Sequence, residues 1–289
     1  MSFIRFPAIR TFVSFPLQQM SIRERAELEM QFGTRIIERK GHYWRRVRPF
    51  FYRPLHCLEP MEERTVVPPC QWPGAYQYAM SDTSRANSTL NFIMLDNLAE
   101  YSLESLSRRH RHAIKQASRR FEVRRIGDLD ELKADGYKAY CSFFERTRYA
   151  YQSDRVAQEK FARWAETLFC NPKAILLGGY GPTGLIAVSC SYWLMETLVY
   201  TTSYAGSEAL RQNAGEAMYH GLRILAAGQP GIREILLRPA RRGGSIDQYY
   251  LLRGAKVVRK PARLELSRFG HVLLKKFRPT EYSLLTGAA

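Results

Sequence analysis

The alternation of apolar and polar residues after residue 100 predicts a fold built from both helices and strands. Helical spacing covers about 102–120, 129–149 and 155–169, and runs typical of strands cover about 121–126, 174–180 and 185–194. Asp128 stands where a helix N-cap is expected, and residues 181–184 (GPTG) are typical of a tight turn. The predicted fold class is therefore α/β (α+β), with a mixed sheet flanked by helices.

The chain then passes from a strand-like run into an amphipathic helix. One face of that helix carries Ala214, Met218, Gly221, Leu222 and Leu225. Gly228 and Pro230 predict that this helix ends near residue 228. A strand is predicted at about 232–237, a second helix at about 246–254 and a closing strand at about 256–266. Ser245 and Gln248 have the spacing of a capping box at the start of the second helix.

The N-terminal third has a different pattern. Short β-like runs between residues 34 and 69 are interrupted by prolines, and residues 71–87 resemble a loop. We therefore expect a smaller N-terminal α+β portion (1–97), a larger α/β domain (98–270) and a C-terminal tail (271–289). Residues 1–23 contain no acidic side chain, and prolines interrupt any helix there. Either a membrane-surface contact or an arm packed on the domain would fit them.

Residues 212–217 have the composition of a phosphate-binding turn. They enter a helix whose first four amides have no partner within the helix, and the helix dipole adds positive potential there. Gly215 lacks a Cβ and lets an anion approach the backbone, while Ala217 is small enough to keep the turn open. Glu216 would oppose an anion, so we expect it to face solvent. The segment predicts a site for a phosphate-bearing ligand.

Two motifs in this region resemble those of the GNAT acyltransferases. Gln212-x-x-Gly215-x-Ala217 is similar to the Q/R-x-x-G-x-G/A pyrophosphate loop, and Tyr250-x-x-x-Gly254-Ala255 is similar to the Tyr-x-x-x-Gly-Phe element that closes the GNAT core. The motifs occur in the family's order and on the expected elements. The resemblance implies a GNAT-like sheet with a coenzyme A site.

The resemblance also implies residue roles. In the family the loop amides bind the pyrophosphate of coenzyme A, the strand before the loop holds the acyl thioester, and the tyrosine protonates the leaving thiolate. Tyr250 would be that catalytic acid, and the backbone near Ser203 and Tyr204 would hold the acyl group. The pyrophosphate contacts would be Arg211, Gln212, Asn213, Ala214, Gly215, Glu216 and Ala217. The implied co-substrate is acetyl-CoA or another acyl-CoA, and no metal is expected.

A longer stretch between Tyr204 and Gln212, together with a basic helix upstream, resembles the Fem-type (FemAB-like) branch of the superfamily. Members of that branch often open their acyltransferase half with such a helix, and they use aminoacyl-tRNA or acyl-CoA donors. On this resemblance the N-terminal portion is either a degenerate first GNAT-like half or a substrate platform.

The 289-residue chain carries a formal net charge of +17, and its pI is about 9.9, which indicates an anionic partner. Eight basic residues crowd the predicted helix and its exit: Arg108, Arg109, Arg111, Lys115, Arg119, Arg120, Arg124 and Arg125. Leu106 and Ile114 belong to a narrow apolar stripe on the same helix, so the basic face should be exposed. This face is either an ordinary solvated surface or a contact for tRNA or an anionic membrane.

The five cysteines, at positions 57, 70, 141, 170 and 190, form no CxxC pair, and no histidine stands at ligand spacing. This pattern argues against a zinc site and against a disulfide framework, and it favours a reducing compartment. No apolar run approaches the roughly 18 residues that a membrane span needs. We therefore predict a cytoplasmic location, with peripheral membrane attachment as the alternative.

Three functions fit the sequence. The first is an N-acyltransferase that moves an acyl group from acyl-CoA to a small-molecule or peptidyl amine by direct attack. The second is a Fem-type aminoacyl-tRNA-dependent transferase, and the third is a noncatalytic GNAT-like scaffold for an anionic partner. The candidate bases are Glu145, Glu196, Glu208, Asp247 or water. Arg241 and Arg242 are further candidates for phosphate contact.

Overall fold

The computed structural model describes residues 15–63, 66–67, 75–148, 153–240 and 244–286. The first elements are α1 (Ile22–Gln31), β1 (Ile36–Arg39), β2 (His42–Arg48), β3 (Phe51–Pro54), β4 (Ala75–Ala79) and β5 (Ser88–Leu95). Next come α2 (Arg108–Ala117), β6 (Glu122–Arg125), α3 (Leu129–Glu131), α4 (Tyr137–Thr147) and α5 (Gln158–Phe169). A π-helical turn, Leu132–Gly136, joins α3 to α4.

The later elements alternate strands and helices. They are β7 (Ala174–Gly181), β8 (Gly184–Leu194), β9 (Thr197–Ala205), α6 (Ser207–Arg211), α7 (Ala214–Ala227), β10 (Glu234–Pro239), α8 (Ser245–Leu251), β11 (Lys256–Glu265), α9 (Arg268–Phe277) and α10 (Pro279–Thr286). Apart from α6, α9 and α10, each of these elements corresponds to one predicted from the sequence pattern.

The chain folds into two compact units that are interleaved in sequence. Unit 1 comprises Met1–Met20, Met94–Arg238 and Gln248–Ala255, and unit 2 comprises Ser21–Ile93, Pro239–Asp247 and Lys256–Ala289. The domain boundaries predicted at residues 97 and 270 stay a prediction, because compactness alone does not define a domain.

In unit 1 the strands β6, β7, β8 and β9 pair antiparallel in sequence order, and β10 joins β9 in parallel. Helices pack on both faces of these strands. A Cβ on Gly179 would lie 3.0 Å from the sulfur of Met218 on α7, while the neighbouring Gly178 faces Leu185. The α4 and α5 helices lie on the Leu185 side, where the π-helical turn and Phe161 contact the strands.

In unit 2 the strand order is β1-β2-β3-β4-β11-β5. The strands β3 and β4 pair in parallel, whereas β1 with β2, β2 with β3 and β4 with β11 pair antiparallel. A core of aromatic and methionine side chains covers this sheet: Trp44, Tyr52, Met61, Tyr78 and Met80. Helix α1 begins at Ser21, which forms a capping box with Glu24. The mixed parallel and antiparallel strand pairing and the flanking helices confirm the predicted fold class.

Several local expectations were wrong. Helix α2 begins at residue 108 rather than 102, because the hydroxyl of Ser107 caps the amide of His110. The predicted loop at 71–87 contains β4, although residues 71–74 lie outside the described residues. The predicted C-terminal tail contains most of α9 and all of α10 as far as it is described.

Of residues 1–23, the described part includes Met20, whose amide donates to the carbonyl of Trp193 at 2.8 Å, as expected of a packed arm.

Candidate active site

The strands β9 and β10 pair over only a short part of their length. Their parallel pairing consists of Thr197 with Glu234, Leu198 with Ile235 and Val199 with Leu236. Both strands continue further, but no later pair between them occurs among the described residues. Thr201 is the extra residue at a register shift between β8 and β9, and its hydroxyl donates to the carbonyl of Cys190 at 2.9 Å. The main chains of β9 and β10 therefore diverge after Val199, and the bulge bends β9 at that point.

The predicted phosphate turn joins two helices rather than a strand and a helix. After α6, Asn213 adopts a left-handed conformation (φ +68°, ψ +24°), and α7 begins at Ala214. The amides of Ala214 and Gly215 have no acceptor within hydrogen-bond distance in the described parts of the chain. Because α7 is 14 residues long, its dipole adds positive potential at these two donors. The turn can therefore bind an anion through its backbone.

The polar side chains that precede this turn are bound to a neighbouring carboxylate. Arg211 forms an ion pair with Glu208 at 2.5 Å, and Gln212 donates to the same carboxylate at 2.8 Å. The hydrogen bonds from Gln212 and Arg211 lower the pKa of Glu208 below its ordinary value. Glu208 and Arg211 are solvent-exposed, so an incoming anion could exchange with the carboxylate at little cost.

The expectation that Glu216 faces solvent was wrong. Its carboxylate is buried and accepts a hydrogen bond from Nε of Arg253 at 2.9 Å, with a second contact from Nη2. Burial opposes the charged form of Arg253, but the hydrogen bond and charge of Glu216 raise the pKa of Arg253 overall. The ion pair turns the Glu216 charge away from solvent and neutralises it, so the objection that Glu216 would repel an anion is removed.

Arg253 also connects α8 to the start of α7. Its guanidinium carbon lies 3.5 Å from the ring centroid of Tyr249, and its Nη1 donates to the carbonyl of Tyr249 at 2.6 Å. A Cβ on Gly215 would lie 3.5 Å from the hydroxyl oxygen of Tyr249. The tyrosine hydroxyl nearest to the anion turn is thus that of Tyr249, a residue that the motif comparison did not single out.

Tyr250 belongs to a cluster of tyrosines contributed by three elements of unit 1. Its ring centroid lies 5.4 Å from that of Tyr219 on α7 and 5.2 Å from that of Tyr249. Burial, and then the proximity of Tyr250, raises the pKa of Tyr200. Tyr200 is the first residue of β9 beyond its paired stretch with β10. The cluster therefore brings Tyr250, Tyr249 and Tyr200 close to the divergence of the two strands.

A second group of polar side chains fixes the end of α8 against α7. Nη1 of Arg223 donates to the carbonyl of Arg253 at 2.8 Å, and its guanidinium carbon lies 3.6 Å from the ring centroid of Tyr101. The Tyr101 hydroxyl is 2.7 Å from Nδ1 of His220. Burial raises the pKa of Tyr101 to about 12 and, together with the charge of Arg223, lowers the pKa of His220 to about 4. At neutral pH the phenol therefore donates to a neutral imidazole.

Ser203 and Tyr204 lie on β9 but differ in environment. Ser203 is exposed and pairs with Ser189 of β8. The ring of Tyr204 is buried against Tyr140 and Trp164, and burial raises the pKa of its hydroxyl. The Tyr204 side chain is therefore directed into the α4–α5 layer, and only its backbone is available for the role that the sequence assigns to it.

The candidate bases are scattered. Glu145 is exposed on α4, Glu196 pairs with Arg233 at 3.2 Å, and Glu208 holds Arg211. Asp247 is buried in unit 2. Arg241 and Arg242 lie outside the described residues.

The sequence did not predict Tyr200 and Tyr249 as site residues. The adjacent tyrosines at 249 and 250 were nevertheless a signal, because either of the two could be the catalytic acid.

The basic segment of residues 108–125 is exposed along most of its length. The side chains of Arg108, Arg109, Lys115, Arg119, Arg120 and Arg125 are solvent-exposed, whereas Ile114 and Ala117 are buried. None of these six cations has a carboxylate within ion-pair distance in the described chain, in contrast to Arg211 and Arg253. The predicted basic face exists, and these six cations are not paired with local acids, whereas Arg124 of the same segment forms an ion pair with Glu122 at 3.8 Å.

Two features are absent from the residues that the structure describes. They contain no group of three or more His, Cys, Asp or Glu side chains that could hold a metal ion. No helix among them combines the length and hydropathy needed to cross a bilayer.

Comparison by sequence and by structure gives different results. No protein-family model matches the chain, and no curated protein matches it by sequence. By structure it is similar to FemX, with a TM-score of 0.59, 9% identity and coverage of 93% of this chain and 96% of that one.

The structural similarity extends to two synthetase structures. The C-terminal domain (DUF2156) of a protein described as a lysylphosphatidylglycerol synthetase from Agrobacterium fabrum gives a TM-score of 0.57 at 9% identity, covering 91% of this chain and 92% of that one. L-PGS from Bacillus licheniformis gives a TM-score of 0.52 at 10% identity, covering 88% of this chain and 96% of that one. The chain therefore shares the fold of FemX and of these two structures, in agreement with the Fem-type organisation expected from the sequence.

Proposed function

We propose that this protein is a GNAT-like acyltransferase that moves an acyl group from an acyl-CoA thioester to an amine. The observation that carries the proposal is the succession of a divergent β9–β10 pair and a helix whose first amides lack acceptors. The diverging strands leave room for an extended acyl-bearing chain, and the amides of Ala214 and Gly215 provide donors for a pyrophosphate. The Fem-type fold supports this reading at the level of architecture.

In this proposal each group of residues has a separate role in binding or catalysis. The Asn213–Ala217 backbone binds the pyrophosphate, with Arg211 and Gln212 released from Glu208 as additional donors. The backbone of β9 around Ser203 and Tyr204 orients the acyl carbonyl. Tyr250 holds a proton on its hydroxyl for the departing sulfur, and Tyr249 covers the turn at Gly215. Acyl-CoA would supply the activated thioester, coenzyme A would leave as the thiol with the proton from Tyr250, and water would accept the proton of the attacking amine.

Calorimetric titration with coenzyme A tests the proposal. The wild-type protein should bind, and Gly215→Glu should abolish binding because the new side chain brings a negative charge and bulk to the turn. Gly127→Glu is the matched control, since Gly127 is exposed and no atom lies within 4 Å of its Cβ position. Absence of binding to the wild-type protein, or equal loss in both variants, would refute the acyl-CoA assignment.

A second candidate is a Fem-type transferase that takes its aminoacyl group from tRNA. The unpaired cations on α2 and its exit favour it, because exposed Arg and Lys side chains supply the phosphate contacts of nucleic-acid binding. Binding of bulk tRNA should fall steeply with salt, and Arg119→Glu with Arg120→Glu should reduce the salt slope by roughly two. Arg46→Glu with Arg48→Glu, an exposed pair on β2, is the control.

The two titrations also address the third reading, a noncatalytic scaffold. Binding of coenzyme A without dependence on Gly215, or binding of neither coenzyme A nor tRNA, would favour the scaffold. Binding of tRNA alone would favour the Fem-type transferase.

A further inference from the structure

Helix α9 of unit 2 carries apolar side chains on its outer side. The hydroxyl of Ser267 caps the helix by accepting from the amide of Gly270 at 3.0 Å. Val272 is 63% exposed and Phe277 is 65% exposed, and Leu273 is exposed beside them. Such large apolar side chains, contiguous on one helix, are unusual on a surface that contacts only water.

The opposite side of α9 is held by α10. The imidazole of His271 lies 3.3 Å from the hydroxyl of Tyr282, and their ring centroids are 5.9 Å apart. Helix α10 is in turn anchored through the carbonyl of Leu285, which accepts from Nε2 of Gln77 at 3.3 Å. At about 100° per residue, Leu273 and Phe277 lie on the far side of the helix from His271. The exposed apolar side is therefore fixed in orientation by the contacts behind it.

The three cations near the end of α9 occupy different sides of the helix. Lys275 and Lys276 are exposed, and no carboxylate of the described side chains lies within ion-pair distance of either. The ammonium of Lys276 lies 5.5 Å from the ring centroid of Phe277, so the lysine extends along the apolar surface while its charge remains in water. At about 100° per residue, Lys276 lies on the apolar side between Val272 and Leu273. Lys275 and the exposed Arg278 lie on the side of His271.

We propose that α9 is a membrane-surface helix that binds anionic lipid bilayers. Val272, Leu273 and Phe277 enter the boundary between headgroups and acyl chains, and Lys276 contacts a lipid phosphate. A second copy of the chain is a poor occupant, because identical lysines would face each other on a protein of net charge +17. Three side chains also bury far less than the roughly 800 Å² per partner of a stable interface.

Co-sedimentation with vesicles tests the proposal on the full chain. Vesicles of phosphatidylcholine and phosphatidylglycerol should bind the wild-type protein, whereas vesicles of phosphatidylcholine alone should bind it weakly. Phe277→Ser should lower the partition coefficient roughly tenfold. The matched control is Phe50→Ser, which removes a phenylalanine of equal exposure (64%) and should leave the binding unchanged.

Charge variants distinguish α9 from the basic segment of residues 108–125. Lys276→Glu should weaken binding to the anionic vesicles by about tenfold. Lys275→Glu, on the His271 side of α9, is the charge-matched control and should weaken the binding less. Loss of binding in Arg119→Glu with Arg120→Glu, together with unchanged binding in Phe277→Ser, would overturn the proposal and assign the contact to α2. Equal binding of wild-type protein and Phe277→Ser would overturn it as well. Because neither variant alters residues 211–217, the outcome is independent of coenzyme A binding.

Discussion

The hydroxyl oxygen of Tyr249 lies 3.5 Å from the position that a Cβ atom would take on Gly215, and Cδ2 of Leu210 lies 3.4 Å from it. These are ordinary van der Waals distances, so the glycine is not required by close packing. What a Cβ would change is the space in front of the Ala214 and Gly215 amides. Stability and ligand binding can therefore be separated at this residue.

Gly215→Ala should keep or raise the free energy of unfolding, by up to about 1 kcal/mol, because alanine favours the helix that glycine disfavours. Its affinity for coenzyme A should fall, since the methyl group narrows the approach to the amides. Urea unfolding and calorimetric titration measure the two quantities. A strongly destabilised variant would show that the turn is packed more tightly than these distances indicate.

Glu216→Gln should destabilise the fold by about 3 kcal/mol, because it leaves the buried guanidinium of Arg253 without a counter-charge. Glu27→Gln breaks the exposed Arg23–Glu27 pair and should cost far less, because solvent screens that pair. Urea unfolding of both variants gives the comparison.

A double-mutant cycle checks the reason for that loss. Adding Arg253→Met to Glu216→Gln should recover part of the stability, since the uncompensated charge disappears. If the effects of the two substitutions on the free energy of unfolding are additive, Glu216 and Arg253 are not coupled, and Glu216 does not stabilise the fold by compensating the charge of Arg253.

The environment of Glu216 shows which features of the candidate site could be predicted from the sequence and which could not. The i, i+4 apolar pattern beginning at Ala214 identified α7, and glycine at 215 identified its N-terminal turn, because both depend on local spacing. The partner of Glu216 is Arg253, which follows α8 and is 37 residues away, and local patterns do not reveal such a pairing. The same limit explains why Tyr200 and Tyr249 were missed, since their proximity to the site depends on how β9, α7 and α8 pack.

The folded state should lose stability on acidification through His220. Its pKa is lowered from 6.5 to about 4 by burial and by Arg223, so between these values the unfolded chain binds more protons than the folded one. The contribution of neutral His220 to the free energy of unfolding is complete above about pH 6.5. It is lost as the pH falls towards 4, and the loss is at most about 3 kcal/mol. Other groups also titrate in this range, so the measurement is the difference between wild type and His220→Gln.

Urea unfolding at several pH values gives that difference. The stability gap between wild type and His220→Gln should narrow on acidification. His112→Gln, at an exposed histidine of α2, serves as the control for the substitution itself. A pH-independent gap for His220→Gln would mean that the imidazole does not titrate as its burial implies.

Tyr204→Phe should leave the protein as stable as the wild type or stabilise it by about 1 kcal/mol. Its buried hydroxyl has no hydrogen-bond partner in the described structure, so its removal abolishes a desolvation penalty. Tyr180→Phe is the contrasting variant, because the Tyr180 hydroxyl donates to Glu131 at 3.0 Å and its loss should cost about 1 kcal/mol. Thermal unfolding distinguishes the two, and clear destabilisation by Tyr204→Phe would reveal a partner for that hydroxyl.

Tyr249 and Tyr250 should differ in which kinetic constant they affect. Tyr249 lies over the turn at Gly215, so Tyr249→Phe should raise KM for acetyl-CoA and leave kcat nearly unchanged. Tyr250 is proposed to protonate the leaving sulfur, so Tyr250→Phe should lower kcat by about 10²-fold or more. Thiol release from acetyl-CoA in the presence of primary amines measures both constants. The reverse pattern, with kcat lost in Tyr249→Phe and retained in Tyr250→Phe, would transfer the acid role to Tyr249, whose hydroxyl is the one that reaches the start of α7.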